Sequence, residues 1–182
     1  MTTEINTIAV FTDGACAKNG QKKSIGGIGV FFGPFDVRNV SEELPDTIKQ
    51  FFDDDEVSSR ATNNKAELMA ILKALFILKP DLEDKKIVKV YTDSMYSIKC
   101  LTIWYKIWEK NNWVNSKGNA VLNKEIIQKI LKFMKNFEEN QISFTYVKAH
   151  RAKLSEVNEE EYVKWFGNNN ADLLAKAAVS VA

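Results

Sequence analysis

The sequence predicts an α/β fold built on a mixed five-stranded sheet, three antiparallel strands followed by two parallel ones, flanked by helices. Three observations carry this expectation. Segments rich in Ile, Val, Phe, Tyr and Thr at residues 5–12, 25–32, 87–92 and 142–147 have the composition of pleated, half-buried strands. Between residues 62 and 137, long stretches instead return apolar residues every three or four positions, the period of a helix packed on one face. The resulting order, β-β-β-α-β-α-α-β-α, places helices between the later strands, and strands joined by helical crossovers run parallel.

The first two strands are separated by the turn-forming stretch Asp13 to Ser24 and form a hairpin, and a third strand follows near Val37 to Leu44. Next comes an acidic run, Glu42 to Glu56, with seven acidic residues against Lys49, which reads as a solvated, mobile surface loop. Thr62 is a candidate N-cap for a long helix whose stripe is Leu68, Ile71, Leu72, Leu75 and Leu78, with Pro80 as its stop. Ile87 to Thr92 is a short buried strand and Ser94 to Glu109 a helix. A polar loop, Asn111 to Asn119, leads to a helix over about Val121 to Phe137. Ile142 to Val147 is the last strand, a glutamate-rich loop follows, and a helix over about Asn168 to Val179 closes the chain.

At 182 residues, 45% hydrophobic, with eight glycines and three prolines, the chain is expected to form one domain over residues 1–182. No signal-peptide pattern and no apolar run of the ~20 residues needed to cross a bilayer is present, so no membrane association is expected and the location is cytoplasmic or nuclear. Cys16 and Cys100 lie far apart in no C-x-x-C pairing, which argues for reduced thiols rather than a disulfide framework or a zinc site. The net charge of +1 is uninformative, but its distribution is not. From Lys99 to Lys135, eight lysines stand against Glu109 and Glu125 and are threaded with Trp104, Tyr105, Trp108 and Trp113, the pattern of a nucleic-acid-facing surface.

Two strand ends repeat one pattern, Val10-Phe11-Thr12-Asp13 and Val90-Tyr91-Thr92-Asp93. If these strands are parallel neighbours, both carboxylates emerge at the sheet edge where α/β proteins hold ligands. Each aspartate alone is equally readable as a turn or helix cap. Glu67 lies one turn into the long helix, and because helical side chains tilt toward the N-terminus it can point back at the strand ends. Asp172, near the expected start of the last helix, is also readable as a favourable charge at a positive helix end. Carboxylates gathered in one pocket need cations to stay ionised, and hard oxygen ligands select Mg²⁺ or Mn²⁺. A pair of such ions about 4 Å apart supports in-line phosphodiester hydrolysis.

The segments Phe11-Thr12-Asp13-Gly14, Thr62-Asn63-Asn64-Lys65-Ala66-Glu67-Leu68, Tyr91-Thr92-Asp93-Ser94-Met95 and Gly167-Asn168-Asn169-Asn170-Ala171-Asp172 resemble, in order, the four blocks of type-1 ribonuclease H. The resemblance covers most of the chain and implies the RNase H-like fold and hydrolysis of the RNA strand of RNA/DNA hybrids, giving 5′-phosphate and 3′-hydroxyl ends. It implies two Mg²⁺ ions per site, with Mn²⁺ as a substitute. Asp13 would bridge both ions, Glu67 and Asp93 complete one site, Asp172 completes the other, and His150 assists product departure. It further implies that Asn19, Asn63, Asn64 and Met95 read the RNA strand, where 2′-hydroxyls distinguish RNA from DNA. Arg60, Thr62 and Asn123 match a pocket for a DNA-strand phosphate, and Trp104, Trp108 and Ser116 match a DNA-strand channel. Core packing is the other reading of the tryptophans, Trp113 especially.

The sequence departs from the family in the length of the acidic insertion, in Ala149 before His150 where relatives commonly have glycine, in the long segment Arg151 to Phe166, and in Asn169 where a glutamate is frequent. No hybrid-binding or other accessory domain is expected, and the chain is expected to be a monomer. Two other functions stay open at this point: an integrase- or exonuclease-like nuclease on the same fold, and a catalytically silent hybrid-binding module.

Overall fold

A computed structural model of the chain describes residues 6–18, 24–53, 57–58, 60–149 and 158–180. Its sheet has the order β3-β2-β1-β4-β5. β1 (Thr7–Ala17) pairs antiparallel with β2 (Ile25–Phe31), which pairs antiparallel with β3 (Val40–Glu43). On its other side β1 runs parallel to β4 (Ile87–Thr92), itself parallel to β5 (Ile142–Tyr146). The mixed five-stranded sheet is therefore the one expected.

Side chains alternate between the two faces of a strand, so each strand feeds two packing layers. Val10, Ile28 and Val30 face the main core, beneath α2 (Asn63–Ile77) and α6 (Lys124–Met134). Phe11 and Phe31 face the opposite way, toward α7 (Glu159–Ser180), and pack with Ala171 in a smaller cluster. α2 begins where its sequence says, with the Thr62 hydroxyl accepting from the Lys65 N–H at 3.2 Å. It ends at Ile77, before the expected stop. Pro80 instead occupies the first turn of a short helix, α3 (Lys79–Glu83), a position whose missing N–H harms nothing.

The acidic run is not a loop throughout. Leu44–Phe51 form α1, opened by Pro45 and Asp46, and Leu44, Thr47 and Ile48 are buried at helical spacing. Phe52 follows into the core beneath the Lys129 ammonium, which also donates to the Phe51 carbonyl. Glu42 accepts from Lys73 (2.9 Å), Gln50 (3.0 Å) and Thr47 (3.2 Å), so even part of its acidity is structural. Three apolar side chains hidden among charges, Leu44, Ile48 and Phe52, outweigh the composition that suggested a solvated loop.

The helix expected over 94–109 forms as α4 (Met95–Lys99) and α5 (Tyr105–Lys110), joined by a wider π turn over Cys100–Trp104. α6 is shorter than expected because Asn123, with φ of 59°, holds a left-handed conformation that no α-helix continues through. α7 is longer than expected. It starts at Glu159, where Glu159, Glu160 and Glu161 place negative charge on the positive helix end. Among the described residues no helix is long and apolar enough to cross a membrane.

Candidate active site

β1 does not stop before Asp13, as the sequence suggested, but continues to Ala17, with Asp13 opposite Gly29 of β2. β4 does stop, at Thr92, which pairs with Thr12, so Asp93 leaves the sheet immediately beside Asp13. Parallel neighbours thus deliver both aspartates to one edge.

Two glycines bring helices onto them. A Cβ on Gly14 would stand 2.3 Å from the Glu67 nitrogen and 2.5 Å from the Ala66 carbonyl carbon, so only glycine lets the first turns of α2 lie against β1. That contact sets Glu67 over Asp13. On the opposite face, a Cβ on Gly29 would stand 2.0 Å from the Ala171 carbonyl oxygen. Since Gly29 is the partner of Asp13 and Ala171 precedes Asp172, this approach carries α7 and its aspartate to the same edge. Asp172 lies well inside α7, not at its start, which removes the helix-end explanation for its charge.

Carboxylate oxygens of Asp13, Glu67 and Asp93 lie within 4.8 Å of one another. Asp172 is outside that close trio but lines the same cleft of about 640 Å³, with Gly14, Cys16, Asn63, Ala149 and Lys176. Its Oδ2 accepts from Lys176 at 2.7 Å, one helical turn on. Burial, with Asp93 next in effect, pushes the Asp13 carboxyl up from 3.8 to about 7. Burial, reinforced by Asp13 and Asp93, likewise lifts Glu67 well above the usual carboxylate range. A proton held on Glu67 and shared with Asp13 relieves the repulsion of this cluster; a cation would relieve it better. Hard oxygen donors at this spacing fit Mg²⁺ or Mn²⁺, and Glu67 Oε2 is buried without a hydrogen-bond partner among the described residues, as a metal-facing lone pair would be.

Two contributors escaped sequence reasoning. Asn168 is buried and its Nδ2 donates to Asp93 Oδ2 at 3.3 Å, holding that carboxylate from behind. Its four-residue offset from Asp172 is the signal that could have found it, because i and i+4 share a helix face. The same spacing could have revealed Lys176 as the partner of Asp172.

The remaining expected residues are placed unevenly. Asn63 lines the cleft, whereas Asn64 and Met95 are exposed beside it in the chain, at the starts of α2 and α4. Arg60 is exposed and Thr62 caps α2. Asn123 precedes α6 and donates to the Tyr96 hydroxyl at 3.2 Å. Tyr96, Trp104, Trp108 and Trp113 form an aromatic row with successive ring centres 6.1, 5.9 and 6.0 Å apart. Trp113 is buried in the core, as its alternative reading had it, while Trp104 and Trp108 are half-exposed. Lys99 sits 5.8 Å from the Trp104 ring centre, and Ser116 is exposed. Asn19 and His150 lie outside the described residues.

A parallel β1–β4 pair that presents clustered acids, closed by one helix on each face, defines a carboxylate site able to hold a divalent cation. The RNase H family profile matches residues 5–180, and the chain belongs to that family. Ribonuclease H of Schizosaccharomyces pombe is 34% identical over 94% of this chain and 52% of its own length. Ribonuclease H1 of Mus musculus is 32% identical over 93% of this chain and 49% of its own. The chain thus spans about half the length of these curated relatives. Ribonuclease H of Clostridium botulinum is 32% identical over 94% of this chain and 95% of its own length. Among solved structures, the LC11-RNase H1 isolated from compost superposes with a TM-score of 0.59 at 21% identity, covering 97% of both chains. A foamy viral protease-reverse transcriptase in complex with RNA/DNA hybrid gives 0.68 at 18% identity, over 98% of this chain and 20% of that one. At these identities the structural matches speak to the fold.

Proposed function

We propose that the chain is a type-1 ribonuclease H catalytic domain that hydrolyses the RNA strand of RNA/DNA hybrids with two divalent ions, leaving 5′-phosphate and 3′-hydroxyl ends. The observation that carries this reading is the close Asp13–Glu67–Asp93 trio with Asp172 in the same cleft. It is supported by relatives named ribonuclease H and by a solved neighbour, LC11-RNase H1, described in complex with RNA/DNA hybrid.

Asp13 is assigned to both ions, Glu67 and Asp93 to one and Asp172 to the other. When bound, the ions supply an activated water and charge neutralisation at the departing oxygen. The chain does the rest. Asn168 donates to the Asp93 carboxylate and steadies it at the cleft. Lys176 holds the Asp172 carboxylate in register for the ion it would ligate. Asn63 and Asn64, at the opening of α2, present amides that both donate and accept, which suits the 2′-hydroxyl of RNA. Met95 packs against sugar and base edges. Asn19 takes a neighbouring ribose, and His150, next in sequence to cleft-lining Ala149, assists release of the cut strand. Arg60, Thr62 and Asn123 hold a DNA-strand phosphate; Trp104, Trp108 and Ser116 guide that strand onward. The lysines from Lys99 to Lys135 add a contact that weakens with salt. The chain acts as a monomer, one catalytic unit over residues 1–182.

The test uses labelled RNA/DNA hybrid, double-stranded RNA, double-stranded DNA and single strands, each with Mg²⁺, Mn²⁺ or chelator. Cleavage of the hybrid's RNA strand alone, abolished by chelator, is expected. Cutting of all-DNA duplex, or hybrid binding without metal-dependent cutting, overturns the assignment.

A further inference from the structure

Lys65 is an unusual lysine. It sits on the first turn of α2 with 7% of its surface exposed, and no carboxylate forms an ion pair with it among the described residues. A buried ammonium needs every donor answered. Its Nζ donates instead to two main-chain carbonyls of the segment entering the helix, Ser58 at 2.6 Å and Arg60 at 2.7 Å. These are short, charge-assisted bonds of the stronger kind. The same residue's N–H donates to the Thr62 hydroxyl, so one lysine ties down Ser58, Arg60 and Thr62 together.

Its surroundings extend the tie. α2 packs against α6, whose first turn carries Glu125. Asn123 is the residue immediately before that turn. Arg60 and Thr62 are thus both tied to Lys65, and Asn123 stands at the start of the neighbouring helix. Upstream, Lys129 of α6 likewise donates to a main-chain carbonyl, that of Phe51.

We infer that Lys65 is a positioning residue for the DNA-strand phosphate contact, anchoring the main chain at Ser58 and Arg60 so that Arg60 and Thr62 meet the phosphate beside Asn123. This rests on the proposed hybrid substrate. Lys65 itself touches no substrate: its ammonium is spent on two carbonyls and its stem is buried. Its loss therefore affects binding of the hybrid through the loop and leaves the metal-holding carboxylates in place.

The experiment compares wild type, Lys65→Met and Lys65→Arg. Methionine keeps the buried stem and removes the donor, whereas a guanidinium still reaches two carbonyls. Amide hydrogen exchange over residues 57–62, thermal melting, and KM and kcat on the hybrid across a salt series are measured. For Lys65→Met, exchange over 57–62 accelerates at least tenfold, KM rises about tenfold and kcat stays within twofold. The salt slope of log(kcat/KM) becomes shallower by about one, the signature of one lost phosphate contact. Lys65→Arg recovers most of each change. Overturning results are an unchanged salt slope, or kcat and KM changing together in step with a lowered melting temperature, which marks a merely structural residue. Should wild type not cleave the hybrid, the function assignment fails separately. The exchange arm then decides alone, and 57–62 amides exchanging no faster in Lys65→Met refute the positioning role.

Discussion

Replacing Asp13 with asparagine should make the metal-free protein more stable while destroying its response to Mg²⁺. Asp13 is 6% exposed and its pKa rises from 3.8 to about 7, through burial first and Asp93 second. A folded-state pKa above the unfolded one means that the fold binds the proton more tightly. Below about pH 4 both states hold the proton and the group is neutral for stability; between pH 4 and 7 stability is progressively lost as the unfolded chain ionises first. Above pH 7 the penalty is complete, at roughly 4 kcal/mol for a shift of this size. Asparagine keeps an oxygen for the Gly14 N–H, which now donates to Asp13 Oδ1 at 2.8 Å, and carries no charge. Allowing half the penalty to imperfect replacement, Asp13→Asn gains about 2 kcal/mol at pH 8, or roughly 4–8 °C in melting temperature for a chain of this size. The gain should vanish by pH 4. Saturating Mg²⁺ should raise the wild-type melting point, by about 2.7 kcal/mol of stabilisation at a hundredfold excess over Kd, and scarcely move the variant. Calorimetric melts in EDTA and in Mg²⁺, at pH 4 and 8, read all of this. A variant that melts at or below wild type at pH 8 in EDTA, or that gains as much from Mg²⁺, refutes the electrostatic reasoning.

Asn168→Ala should weaken Mg²⁺ binding about tenfold by titration calorimetry, the usual effect of removing a group that orients a metal ligand, with the hybrid still bound. Gly29→Ala should leave little folded protein, because its Cβ falls 2.0 Å from the Ala171 carbonyl oxygen; a normal circular dichroism melt would contradict the packing. Leu44→Ala should cost about 3 kcal/mol in urea unfolding, as for other fully buried leucines, whereas a solvated loop predicts almost no change.

Much of this was readable from residues alone, for identifiable reasons. Strand composition and the repeated Thr-Asp ends located β1 and β4, and right pairing followed from the helical crossover between them. Thr62 was legible because capping is a local interaction of side chain with backbone. The failures share a cause. α1 was hidden because charge dominates the composition of 42–56, while the decisive contacts of Leu44, Ile48 and Phe52 are with distant core residues. The early start of α7 was hidden because the glutamate-rich stretch before it reads as a loop, and Gly167 is a poor helix former. Yet Gly167 is there to admit Phe11, whose ring atoms would lie 2.3–2.4 Å from a Cβ. The carboxylates of the site were found; the roles of Asn168 and Lys65 were not, since they depend on hydrogen-bond partners that only the fold supplies.

The most direct test of the account is an anomalous difference map from a crystal of the chain bound to hybrid, soaked briefly in Mn²⁺ and flash-cooled. Two peaks about 4 Å apart are predicted, both touching Asp13, with Glu67 and Asp93 on one and Asp172 on the other. A map without density in contact with Asp13, Glu67 and Asp93 would contradict it.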